Sequence, residues 1–295
     1  MRLISFYGDD AIRVGRIDGD SVVVGGGSLD PSGRLGDEFT DMIGWLPGQP
    51  EERVPLDGLE SAPIVIAPTK IVCVGLNYSD HAAEGGREAP QRPLLFAKFS
   101  NTIVGDGDAV VRPDGTHALD LEVELGVVIG RRTRRVPPEA AMTHVAGYIV
   151  VNDISARDWQ GTPQALREGE KGDGQWLRAK GSDTFLPMGS VLVTADELDP
   201  ASGLRLRSWH IGADGTERLM QDGTTADMIH DVPNLVAFIS SVITLEAGDV
   251  IATGTPSGVG VFRDPPVFLE PGDRVRCEID GIGSVENPIV DWYEA

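Results

Sequence analysis

The residues from Asp120 to Ile129, DLEVELGVVI, constrain the fold of this chain more than any other stretch. Strict alternation puts Asp120, Glu122 and Glu124 on one face of an extended strand and Leu121, Val123 and Leu125 on the other. Taken alone, this is the pattern of an ordinary amphipathic strand with a wet acidic face. Here the strand runs on into Val127, Val128 and Ile129, which predicts a central position. Carboxylates crowded on one face repel each other unless they are solvated, take up protons or bind a cation. A second apolar run, Val145 to Val151, ends directly in Asn152 and Asp153. One oxygen ligand from that strand end and two from the acidic strand would leave positions for water and substrate, which suits Mg²⁺; zinc would want more nitrogen or sulfur.

The rest of the chain agrees with a mixed, mainly β fold. Its 37 Gly and 20 Pro, without a low-complexity run, suit many short strands and turns better than a helical bundle. ISFYG, AIRVGRI and SVVVG, separated by turn residues, predict a meander of hairpins over residues 1 to about 27. Pro47, Pro50, Pro55, Pro63 and Pro68 punctuate the following stretch as expected of a connection, so we divide the chain into a small N-terminal β-rich domain, 1–66, and a catalytic domain, 67–295. Further strands are expected at 94–99, 189–194, 204–210, 250–253 and 274–280, with helices at 137–142 and 231–242. Cys73 and Cys277 sit in apolar runs and read as buried hydrophobes, not a disulfide or zinc site. The net charge of −21 disfavours nucleic acid and anionic membranes as partners. No long apolar segment stands at the N-terminus or elsewhere, from which we expect a cytoplasmic protein.

Asn77-Tyr78-Ser79-Asp80-His81-Ala82-Ala83-Glu84-Gly85-Gly86 reads as a short helical turn, with Asn77 or Ser79 as N-cap and Gly85 as stop. His81 and Glu84 are then neighbours on one face, and a carboxylate beside an imidazole makes a pair able to deprotonate water; the diglycine and prolines that follow suit a mobile lid. As an isolated pattern it is more often a surface pair. Arg157 and Gln160 are suited to hold a substrate carboxylate, and Lys180 to stabilise an oxyanion or enolate, although each also fits a structural role. Gly-Thr-Pro-Ser-Gly at 254–258 lacks the lysine of a nucleotide-binding loop and reads as a tight turn whose backbone and Thr255 hydroxyl bind an anion. Residues 161–175 read as a loop near the site.

Six segments in this order, GLNYSDHAAE (75–84), LDLEVELGVVIG (119–130), VAGYIVVNDISARDWQ (145–160), KGSDTF (180–185), QDGTTADMI (221–229) and TLEAGDVIATGTPSGVG (244–260), resemble the fumarylacetoacetate hydrolase family from about residue 70 to 290. The resemblance implies a β-roll or barrel-like catalytic domain behind a small N-terminal domain, commonly in a homodimer. It implies Glu122, Glu124 and Asp153 as ligands of Mg²⁺ or Mn²⁺, with Asp120 outside that set. It also implies His81 and Glu84 as a catalytic dyad on a lid helix, Lys180 as a charge stabiliser, and Arg157, Gln160, Lys98 and Thr255 as substrate contacts. The His-x-x-Glu pair looks like the acylpyruvase, oxaloacetate decarboxylase and dioxo sugar-acid hydrolase branch. The activity implied is hydrolysis of a small 2,4-dioxo acid to pyruvate and an acid, through water activated by His81 and Glu84 and a metal-stabilised enolate. Decarboxylation of oxaloacetate, or isomerisation of an aromatic-degradation oxo-dicarboxylate, is the alternative on the same site. A non-catalytic cation-binding β protein is the alternative of another class.

Overall fold

The computed structural model describes residues 1–9, 11–28 and 52–294; Pro47 and Pro50 of the expected connection lie outside them. The N-terminal meander forms as expected: β1 (Arg2–Tyr7), β2 (Ile12–Asp18) and β3 (Ser21–Ser28) pair antiparallel in turn, and β4 (Glu52–Pro55) adds to β3. Next come β5 (Ile71–Gly75), helix α1 (Ser79–Glu84), β6 (Leu94–Lys98), β7 (Ile103–Val104), β8 (Val110–Arg112), β9 (Leu119–Asp120) and β10 (Val123–Ile129). The middle supplies α2 (Pro138–Ala141), β11 (Val145–Asn152), β12 (Ser155–Ala156), α3 (Arg157–Gln160), α4 (Trp176–Lys180), β13 (Leu186–Pro187) and β14 (Val191–Thr194). Last are β15 (Arg205–Ile211), β16 (Glu217–Thr224), α5 (Val232–Ser240), β17 (Val250–Ala252), β18 (Arg274–Ile279) and β19 (Gly283–Asp291).

The fold is mixed and mainly β. A large sheet runs in the order β4-β3-β2-β1-β14-β11-β10-β17-β5-β6, and a smaller one in the order β16-β15-β18-β19-β8. β4 and β6 are edges of the large sheet, so it is open, not a closed barrel. β10 and β11 are buried along their whole length and pair antiparallel from Val123↔Asn152 onward, the central place that the apolar run after Glu124 predicts. That pairing brings the acidic end of β10 beside the polar end of β11. β17 and β5, parallel to each other, continue the sheet and carry the 254–258 turn and α1 at their far ends. α5 begins at Asp231, whose side chain accepts from Asn234 N, with Pro233 in the first turn.

β1 pairs with β14, so the N-terminal strands extend the large sheet instead of forming one of their own. Ile4, Phe6, Val22 and Val24 nevertheless form an apolar cluster of their own with Val54, Leu56 and Leu59, joined from the catalytic part by Val191 of β14. A boundary between residues 66 and 67 remains a proposal, which that cluster favours and the shared sheet opposes. The reading from sequence omitted β16 and β19. β16 carries charges and exposes its first residues, and β19 contains Pro288, so neither offers a clean apolar alternation. Cys73 and Cys277 are buried and unpaired, and burial pushes both thiols up.

Candidate active site

The acidic stretch is not one continuous strand. β9 stops at Asp120 and β10 starts at Val123; between them Leu121 N donates to Asp120 Oδ1 (2.9 Å) and Glu122 O accepts from Asp153 N (2.9 Å). The break separates the carboxylates. Asp120 turns away to accept from Gly260 N (2.7 Å), Val261 N (3.1 Å) and Arg157 Nε (2.8 Å). Glu122 and Glu124 instead join Asp153, just past β11, and these three buried carboxylates offer oxygens within 4.8 Å of one another.

Buried cations surround them. Lys180 Nζ donates to Glu122 Oε2 and Asp153 Oδ2, each at 2.7 Å, and Arg157 Nη2 lies 2.7 Å from Glu122 Oε1. Burial opposes the charge on Glu122, but Lys180 and Arg157 outweigh it and hold the carboxyl well below the usual range. Glu124 has only Gly254 N (2.9 Å) as a donor; burial, with the charges of Asp153 and Glu122, pushes it well above that range. Lys98 Nζ is 2.8 Å from Asp153 Oδ1, yet its three protons go to the carbonyls of Ile154 (3.1 Å), Lys180 (2.6 Å) and Phe185 (2.6 Å). Asp153 Oδ1 therefore has the Lys98 charge beside it but no well-directed hydrogen bond. Three buried carboxylates gathered this closely, one with an oxygen lacking a well-directed hydrogen bond and one a glutamate that resists ionisation, are what a hard divalent cation would satisfy. The residues fit such an ion.

α1 places His81 over this group. His81 is buried, its Nδ1 is 2.7 Å from Glu84 Oε1, and its ring lies 6.1 Å from that of Phe262. The 254–258 turn, expected to bind an anion through its backbone and the Thr255 hydroxyl, spends backbone amides on the protein's own carboxylates and the Thr255 hydroxyl on Val123 O. Gly254 N holds Glu124, Gly258 N donates to Glu84 Oε2 (2.9 Å), and Ser257 Oγ donates to Asp80 Oδ2 (2.7 Å). Gly254 has φ +98°, and a Cβ there would meet Asn77 Cβ at 2.7 Å, so glycine alone fits this close approach. The expected caps of α1 are corrected: Tyr78 precedes the helix without a side-chain cap. Asn77 instead clasps the root of the helix, donating to Thr253 O (2.7 Å) and His230 O (3.0 Å) and accepting from His230 N (2.9 Å).

One pocket is lined by His81, Glu122, Glu124, Arg157, Gln160, Lys180 and Thr255 together. Lys98, expected at the substrate, does not line it; it sits fully buried behind Asp153, with its protons committed to carbonyls. Arg157 reaches the pocket with its guanidinium already engaged by Asp120, Glu122 and Gln160 Oε1 (3.1 Å). Thr255 Oγ1 donates to Val123 O (2.8 Å) and accepts from Gln221 Nε2 (2.7 Å). Residues that sequence reasoning missed include Arg87, Phe96, Trp176 and Phe262 on the pocket walls. It also missed Gln221, which accepts from Val123 N (2.9 Å), and Asn152, which accepts from Glu122 N (2.9 Å). Gln221 lies in a segment that carried the resemblance, but no local pattern marks its role. Gly161 and Thr162 confirm that the 161–175 loop borders the site.

An open β fold that buries three carboxylates beneath an oriented histidine defines an enzyme centre able to hold a metal. Residues 70–290 match the family described as fumarylacetoacetate (FAA) hydrolase C-terminal, and the chain belongs to that family of enzymes. The reading as a non-catalytic protein is thereby set aside. The chain is 44% identical over 223 residues to a mitochondrial oxaloacetate tautomerase of Xenopus laevis, a match covering 76% of this chain and 66% of the relative, just under two thirds of its length. It also resembles the solved 2-hydroxyhepta-2,4-diene-1,7-dioate isomerase of Mycobacterium marinum (34% identity, TM-score 0.77) and the fumarylacetoacetate hydrolase of Exiguobacterium antarcticum (34% identity, TM-score 0.78), each over 99% of both chains. The expectation of a cytoplasmic protein is corrected: the relatives from Xenopus laevis, Homo sapiens and Bos taurus are named as mitochondrial. The physical reason is that lack of an apolar span says nothing about which aqueous compartment a protein occupies.

Proposed function

We propose that this chain is a divalent-metal-dependent enzyme of small 2-oxo acids, and that its first activity is keto–enol tautomerisation of a 2-oxo dicarboxylate. The observation that carries the reading is His81, oriented by Glu84 on the wall of the pocket that Glu122 and Glu124 also line. Mg²⁺ or Mn²⁺ held by Glu122, Glu124 and Asp153 would supply a Lewis acid that polarises the 2-oxo group. With Nδ1 committed to Glu84, His81 turns Nε2 to take a proton from the carbon beside that group and to return it. Lys180 offers positive charge to the developing enolate oxygen while holding Glu122 and Asp153 in place. Arg157 fixes Glu122, Lys98 backs Asp153, Gln160 orients the carboxylate end of the substrate, and Thr255, its hydroxyl proton given to Val123 O, shapes the pocket wall beside it. Phe96, Trp176 and Phe262 exclude water. The names of the Xenopus laevis and Mycobacterium marinum proteins support the order of readings, since both specify a proton shift on a dicarboxylate.

Hydrolysis of an acylpyruvate to pyruvate and an acid is the second reading, favoured by the likeness to the Exiguobacterium antarcticum hydrolase. In it His81 removes a proton from water instead of carbon. Decarboxylation of oxaloacetate would use the same enolate. We also propose a homodimer, with small molecules and not nucleic acid or membranes as partners, in keeping with the net charge of −21. The test uses metal-stripped protein with and without Mg²⁺, following the ultraviolet absorbance of enol-oxaloacetate and, separately, pyruvate release from acetylpyruvate and from oxaloacetate. Mg²⁺-dependent loss of the enol signal without pyruvate supports tautomerisation. Release from acetylpyruvate moves hydrolysis first, release from oxaloacetate moves decarboxylation first, and silence in all three sinks the proposal.

A further inference from the structure

Arg87 stands just beyond the lid helix. Gly86 turns the chain at φ +65°, Arg87 N donates to Ala82 O (2.8 Å), and the exposed Arg87 side chain lines the mouth of the pocket. Among the described residues no carboxylate pairs with it, whereas Lys180 and Arg157 in the same pocket are both held by carboxylates. The charges deeper in the site explain why that difference matters. Leaving the His81–Glu84 pair aside, Asp120, Glu122, Glu124 and Asp153 stand against Lys98, Lys180 and Arg157, so a divalent ion leaves a single positive charge around the carboxylate group. The carboxylate adjoining the 2-oxo group matches it. Apart from Gln160, Thr162 and Thr255, the remaining wall is apolar, with Leu76, Phe96, Trp176 and Phe262, and against those residues a second carboxylate without a donor is costly.

Resting on the 2-oxo acid reading above, we propose that Arg87 binds the distal carboxylate of the substrate, so that the site selects dicarboxylic over monocarboxylic 2-oxo acids. A guanidinium is suited to this because its planar fork takes a carboxylate through two hydrogen bonds.

Calorimetric titration of the Mg²⁺-loaded full chain with two unreactive ligands tests this. N-oxalylglycine and oxamate share an oxalyl head, and only the first carries a distal carboxylate. Wild type is expected to bind N-oxalylglycine more tightly. Arg87→Gln should weaken N-oxalylglycine about tenfold and change oxamate by no more than about twofold, a size set by a charged hydrogen bond discounted for exposure. Arg87→Lys should keep part of the preference. Equal weakening of both ligands, or no change in either, overturns the role of Arg87 while leaving the 2-oxo acid site intact. If oxamate does not bind the Mg²⁺-loaded wild type, the 2-oxo acid reading falls and this inference with it.

Discussion

Asp153 is the residue on which the site turns. It is wholly buried at the end of a central strand, gripped through Oδ2 by Lys180, with Oδ1 2.8 Å from Lys98 Nζ. Removing one partner of such a buried pair leaves an uncompensated charge, which costs about 3–5 kcal/mol. Glu124 is the opposite case, because its carboxylate is opposed by burial, Asp153 and Glu122 with no cation of its own. Glu124→Gln keeps an acceptor for Gly254 N and removes the repulsion. In EDTA this variant should melt no lower than wild type. With Mg²⁺ at about a hundred times its Kd, wild type should gain roughly 2.7 kcal/mol and the variant little of it. Thermal melts of both proteins with EDTA or Mg²⁺ check this, and an equal Mg²⁺ gain in the variant would remove Glu124 from the ligand set.

At the scale of elements, α1 is too short to be stable alone and is held by what it touches. The 254–258 turn grips Asp80 and Glu84 from one side while its first amide grips Glu124, so α1 and the three-carboxylate group share one support. Asp80→Ala removes the Ser257 contacts, together with the Oδ1 acceptor of His81 N (2.8 Å), although Asp80 itself does not line the pocket. Losing about 1–1.5 kcal/mol there should speed local amide exchange over residues 81–87 about tenfold. Hydrogen exchange followed by mass spectrometry reads this, and unchanged protection would mean that Glu84, Gly258 and Phe262 hold α1 alone. The sequence marked this helix and its stop correctly. Its caps were misassigned because Asn77 has better partners in Thr253 and His230, far along the chain, than in the first turn of the helix.

Charge governs the molecule as a whole. A net −21 repels itself in the compact state, and salt screens that repulsion over about 10 Å at 0.1 M. Raising NaCl from about 20 mM to about 500 mM should therefore lift the melting temperature by roughly 3–5 °C. A melt that falls with salt would mean that the surface ion pairs outweigh the repulsion. Light scattering in the same buffers would test the proposed dimer. Much was legible from sequence by itself: a mainly β chain, β10 and β11 as central strands, three clustered carboxylates and a His81–Glu84 pair. These lie in short local patterns, where periodicity and neighbours a few residues apart carry the information. Only the tertiary structure decided that Asp120 turns away to Arg157, that Lys98 backs Asp153 instead of meeting substrate, and that the turn expected to take a foreign anion takes Glu124 and Glu84. Those last partners lie 130 and 174 residues apart along the chain, and a buried charge goes to whichever counter-group the packed fold brings within hydrogen-bonding distance.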